Sequence, residues 1–94
     1  MTEERARWTT KRRRVQRVQT GVRMAKRVHQ LLKALASTLD ITLGDLLEGI
    51  VLHAIEGKSP FGPDTLAKID ALRTVLHLDL TAADSHLLVE RKRR

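Results

Sequence analysis

The chain of 94 residues contains no cysteine and no tyrosine, and its aromatic content is limited to Trp8 and Phe61. Without cysteine there is no disulfide framework, no thiol nucleophile and no zinc finger. Two aromatics give almost nothing on which single-stranded bases would stack. No run approaches the roughly 18 apolar residues of a membrane span. The opening MTEERARWTT lacks the apolar stretch of a secretory signal. These absences lead to the expectation of a soluble, cytoplasmic, nucleoid-associated protein.

Chemistry-bearing patterns are missing too. His29, His53, His77 and His86 form no i, i+4 pair, so metal-ligand spacing is absent. Neither GxGxxG nor GxxxxGK[ST] occurs, which leaves a nucleotide cradle unsupported. Asp64, Asp70, Asp79 and Asp84 read as helix caps and solvated faces rather than paired acid–base groups. The expectation is a protein that is not an enzyme and uses no metal or cofactor.

What is present is charge, and it is unevenly placed. The net charge is +7, with arginine outnumbering lysine 12 to 6. Residues 1–33 carry 11 Lys/Arg against Glu3 and Glu4, a balance of +9. Residues 34–89 carry 3 Lys/Arg against 8 Asp/Glu, a balance of −5, and the closing ERKRR adds +3. A basic front attached to an acidic body points to a polyanionic partner.

Residues 1–14 show no apolar periodicity, contain Lys11-Arg12-Arg13-Arg14, and read as a basic flexible arm. In VQRVQTGVRM (15–24), Val18, Thr20, Val22 and Met24 alternate with Gln19, Gly21 and Arg23. Period-2 alternation with β-branched residues on one face predicts a short strand. The period then changes. Val28, Leu31, Leu32, Leu35, Ala36 and Leu39 predict a helix over 26–39, and Leu43, Leu46, Leu47, Ile50, Val51, Ala54 and Ile55 predict another over 43–56. Thr42 stands at the second helix's N-cap with Asp45 placed to reach back, and Gly57 suits the position after its end. Leu52 lies off the stripe, so this helix is expected to face a second surface. SPFGP (59–63) marks a turn. Leu66, Ile69, Leu72, Val75 and Leu76 predict a third helix capped by Asp64 or Thr65. Thr81 to Asp84 repeats the capping pattern before a short fourth helix bearing Ala83, Leu87 and Leu88.

A lone strand cannot satisfy its own backbone groups, so an isologous homodimer with the strand paired to its symmetry mate is expected. The stretch VQTGVRMAKRVHQLLKALASTLDITLGDLLEGIVLHAIEG, residues 18–57, resembles the ribbon-helix-helix (MetJ/Arc/CopG-like) family of DNA-binding proteins. Where that family's turn usually reads Gly-x-Ser/Thr/Asn, this chain has Asp40-Ile41-Thr42. The resemblance implies a mainly α fold with one short β-strand, arranged as a ribbon-helix-helix intertwined homodimer with a C-terminal helical extension. The corresponding division is a 1–14 arm, a 15–57 DNA-binding domain and a 58–94 helical extension with a basic tail.

By the same resemblance, a two-stranded ribbon enters the major groove of duplex DNA and its outward residues read bases. Those are Gln19, Gly21 and Arg23. Arg23 suits guanine and Gln19 suits adenine, while Gly21 offers no side chain. Phosphate contacts fall to Lys11, Arg12, Arg13, Arg14 and Arg17, and to the helix N-terminus at Thr42, Leu43 and Gly44. The implied function is sequence-specific repression and autoregulation in a bacterium by a DNA-bound homodimer, with higher-order assembly on DNA as an extension. The alternative is an antitoxin, plasmid partition or relaxosome accessory protein gripping a protein partner through residues 64–90.

Overall fold

In a computed structural model, residues 12–91 are described. They form three helices, α1 (Lys26–Thr38), α2 (Leu43–Ile55) and α3 (Pro63–Val75), and one 3-10 turn at Ala82–Asp84. Among the described residues there is no strand. The expected short β-strand, and with it the ribbon-helix-helix intertwined homodimer, is therefore overturned: residues 15–24 form no ladder with any described residue. The alternation is real, but a ladder needs a second hydrogen-bonded segment, and the described residues supply none. Val18 and Val22 accordingly stay 83% and 69% exposed.

The helices themselves follow the sequence closely. Each of the six apolar stripe residues of the first helix is buried or half-buried. Thr42 caps α2 by accepting the Asp45 N–H at 3.0 Å. The reciprocal bond from the Thr42 amide to the Asp45 carboxylate is absent, so the cap is half of a capping box. α3 begins differently from expectation, with Gly62 at the N-cap and Pro63 at the first helical position. Proline suits that position because its missing N–H would be an orphan there anyway.

All three helices stop in the same way. Asp40, Gly57 and His77 take left-handed φ values of 59°, 72° and 55°. Behind them the Ile41, Lys58 and Leu78 amides donate to Ala36, His53 and Arg73 carbonyls at 3.0, 2.9 and 2.9 Å. This is the Schellman arrangement, and it satisfies carbonyls that the helix ends leave open. Asp40 thus occupies the backbone state that a glycine would adopt at no steric cost. The predicted fourth helix is cut to one turn. Its capping box forms, with the Thr81 N–H donating to Asp84 Oδ2 at 2.8 Å, but His86 at φ 67° turns the chain away and Leu87 and Leu88 remain exposed. A cap can start a helix, yet without a face to bury a short helix does not propagate.

The backbones of α2 and α3 both lie close to α1 and not to each other. The core is correspondingly small. Leu35 is 1% exposed and sits with Ala36 and Leu46, surrounded by Leu32, Leu39, Ile50, Phe61, Ile69 and Leu72. Leu78, three residues past the end of α3, is also buried. Phe61, Ile69 and Leu72 belong to the segment beyond residue 57, so that segment contributes to the same core as α1 and α2. The accessible surface is 8858 Å². A compact monomer of 10.7 kDa exposes about 5,500 Å².

Leu35→Ala is expected to cost about 2–5 kcal/mol, enough to abolish a cooperative melt followed by circular dichroism. An unshifted melt places the core elsewhere. Gly57→Ala, forced into a left-handed φ, should cost about 1 kcal/mol in urea unfolding. A chain ending at residue 58 should likewise lose cooperative unfolding, because it lacks Phe61, Ile69 and Leu72.

Candidate nucleic-acid interface

Between Glu4 and Asp40 the sequence has no acidic residue. The described part of that stretch before α1, residues 12–24, is a non-helical, unpaired segment with every residue exposed. It carries Arg12, Arg13, Arg14, Arg17 and Arg23. Lys11, expected to touch phosphate, lies outside the described residues. The segment runs into α1 without a capping side chain, and Lys26 and Arg27 open the helix with no acid in its first turn. Positive charge at a helix N-terminus opposes the helix dipole, so the junction favours an external anion.

The arginines divide into two groups. Arg12, Arg13 and Arg14 make no ion pair with any described residue. Arg17 is engaged by the acidic body and Arg23 by Glu90 of the closing ERKRR. Arg17 Nη1 donates to Glu48 Oε2 on α2 at 2.5 Å. Arg23 Nη2 donates to both Glu90 carboxylate oxygens at 2.6 Å. Both pairs are exposed, and such pairs contribute about 0–1 kcal/mol each. They matter here as placement: they tether the segment to residues 31 and 67 positions away.

Beside Arg17, the segment lies along α2 and encloses a depression of about 630 Å³ lined by Val15, Leu47, Val51 and Leu52 with Arg13 and Glu48 on its margin. Gln19 and Gly21, expected at base edges, are both exposed. A Cβ added at Gly21 would touch nothing within 4 Å, so packing within one chain does not demand glycine there.

The second expected contact, at the start of α2, is also open to solvent. Thr42 and Gly44 are exposed and Leu43 is half-buried. The Thr42 hydroxyl is committed to the Asp45 amide, which leaves the Leu43 and Gly44 amides without an acceptor among the described residues. Asp45 places a carboxylate in the same turn, which opposes an arriving phosphate. Glu48 lies six residues beyond Thr42, about 9 Å along the helix axis, so the Arg17 tether brings the basic segment onto the helix that carries this N-terminus.

Glu48 and Glu90 are the ion-pair partners that sequence reading missed. Each left a faint signal: Glu48 is one of two acids on α2, with Asp45, and Glu90 is the single acid in ERKRR. The histidines come no closer to a metal site. His53 Nδ1 is 2.7 Å from the Gly49 carbonyl of its own helix, and the described residues contain no cluster of three or more His, Cys, Asp or Glu placed to hold an ion. No described helix is long and apolar enough to cross a membrane.

Thr42→Ala is expected to lower stability by about 1 kcal/mol through loss of the cap, with Thr42→Ser close to wild type in the same denaturant titration. Equal losses in both variants identify the threonine methyl, rather than its hydroxyl, as the stabilising group.

No family model matches the sequence, and no curated protein or solved structure matches it either, so the ribbon-helix-helix resemblance rests on the pattern of residues 18–57 alone.

Proposed function

We propose that this chain binds duplex DNA through residues 11–23 and acts as a homodimer that regulates transcription. The observation that carries the reading is the concentration of five exposed arginines, with no acid among them, in one extended segment attached to an acidic helical body. An extended arginine-rich chain follows a line of phosphates because its charges are spaced along the polymer and each displaces condensed counterions. Lys11, Arg12, Arg13, Arg14 and Arg17 carry the phosphate contacts, joined by the Leu43 and Gly44 amides and the Thr42 cap at the start of α2. Gln19 and Arg23 are the side chains with base-reading chemistry, and Gly21 lets the backbone approach without a side chain of its own. The scarcity of aromatics favours a duplex over single strands, whose recognition depends on stacking.

The homodimer is supported by apolar surface that one chain leaves uncovered. Val51, Leu52 and Ile55 on the second half of α2 are 54%, 60% and 73% exposed, and Val15 lies beside them across the depression. Dimerisation through this face buries what the small core cannot, and doubles the number of basic segments on one particle. A second reading, with a protein partner held by residues 64–90, is favoured by the exposed Leu66, Val75 and Leu87.

Replacing Arg12, Arg13 and Arg14 together by glutamine is expected to weaken binding to random-sequence duplex. It should also reduce the slope of log K against log salt by about 2–3. Arg23→Ala should instead flatten the preference between sequences while leaving sedimentation unchanged. Wild-type protein that ignores duplex at low salt overturns the DNA reading. For the dimer, Leu52→Glu is expected to shift sedimentation to the monomer; a wild-type chain that is monomeric across concentration removes the dimer and leaves the α2 face to another partner.

A further inference from the structure

We propose that residues 85–91 form a displaceable strap whose Glu90 carboxylate competes with nucleic-acid phosphate for Arg23, a device that rests on the DNA-binding reading above. The strap has one fixed end and one loose end. Upstream it is anchored: Leu78 is buried, Arg73 Nη2 donates to the Leu80 carbonyl at 3.0 Å, and Thr81 and Asp84 close a capping box. His86 at φ 67° then turns the chain. Downstream of it nothing apolar is buried. Leu87 and Leu88 are exposed, and Val89 is 90% exposed.

What brings the far end to the basic segment is charge. Glu90 meets Arg23 with both carboxylate oxygens at 2.6 Å, in a depression of about 470 Å³ that Lys26 and Arg91 also line. A carboxylate at this point is a tethered anion among three cations, lying beside the acid-free start of α1. Tethering gives it a high effective concentration, so an isolated phosphate displaces it poorly. A polyanion already held by Arg12, Arg13 and Arg14 has the same advantage of tethering and can replace it. Arg23 is thereby held more effectively from single phosphates than from a ligand that engages several cations at once, which weakens scattered contacts.

The strap predicts a specific gain from one charge. Glu90→Gln should tighten binding to random-sequence duplex about two- to fivefold at about 50 mM salt, with the excess shrinking by about 200 mM as the exposed pair is screened. Asp70→Asn removes the same charge from an exposed position on α3 that forms no ion pair among the described residues, and should give a smaller gain. In an Arg23→Gln background, Glu90→Gln should add no more than Asp70→Asn does.

The Arg23 side-chain NMR resonance supplies a readout in the free protein. It should move on Glu90→Gln, stay on Asp70→Asn, and move in wild type when duplex is added. Equal affinity gains for the two acid variants, or an Arg23 resonance indifferent to Glu90, overturn the strap. If the resonance responds to Glu90 but no variant binds duplex, the DNA reading itself has failed and the competition falls with it, while the ion pair remains as a structural contact.

Discussion

The apolar face of α1 is the constraint on which the rest of the described chain depends. α2 and α3 make no close backbone approach to each other, so their relative placement depends on what each buries in the shared cluster around Leu35 and Ala36. Leu46 reaches this cluster from α2, and Phe61, Ile69 and Leu72 reach it from the segment that includes α3. The Schellman turns then set where each helix stops, and hence where the chain re-enters. Asp40 at φ 59° and Thr42 at the next cap leave a connection of only four residues between α1 and α2. That short link brings the start of α2 close to the end of α1, while the Arg17–Glu48 pair brings the basic segment back across the middle of α2.

Helices were legible in the sequence because a 3.6-residue stripe reports burial that the helix can find against any apolar neighbour. The stripe on α1 is covered along its whole length. On α2 the same spacing reads equally well, yet Val51 and Ile55 are exposed while Leu46 is buried. Periodicity specifies which face is apolar and is silent on what covers it. The strand expectation failed for the related reason that alternation at Val18, Thr20, Val22 and Met24 describes a face, whereas a strand is defined by a hydrogen-bonded partner. The fourth helix failed one level lower. Thr81 and Asp84 made the predicted cap, but local chemistry at a helix start does not supply burial for Leu87 and Leu88.

The candidate interface was legible in part on the same terms. A run of arginines is visible in any linear reading, and five of them do lie exposed on one segment. Their partners were not visible, because Glu48 and Glu90 are brought to Arg17 and Arg23 by the fold over 31 and 67 positions. This separation changes the meaning of the net charge. A value of +7 distributed at random would predict a uniformly sticky surface. Here Glu48 of the acidic body and Glu90 beyond it each engage one arginine, and Arg12, Arg13 and Arg14 stay free of ion pairs among the described residues. The exposed cations therefore form a graded series, with the free ones first in sequence and the carboxylate-engaged ones nearest the helices.

Dimerisation and polyanion binding, on the proposed function, are thermodynamically linked. Each chain brings a net +7, and an interface that includes Val15 and α2 places two arginine-rich segments near one another. Their mutual repulsion opposes the apolar gain from Val51, Leu52 and Ile55, and it is largest where salt is low. A duplex removes that opposition by supplying phosphate to both segments. Because linkage is reciprocal, any stabilisation of the dimer by DNA must appear equally as stabilisation of DNA binding by the dimer. The Arg17–Glu48 and Arg23–Glu90 pairs act against the same repulsion inside the free protein. An acidic body thus has a physical role in a DNA-binding chain: it keeps the cations tolerable to one another until a stronger polyanion replaces the carboxylates.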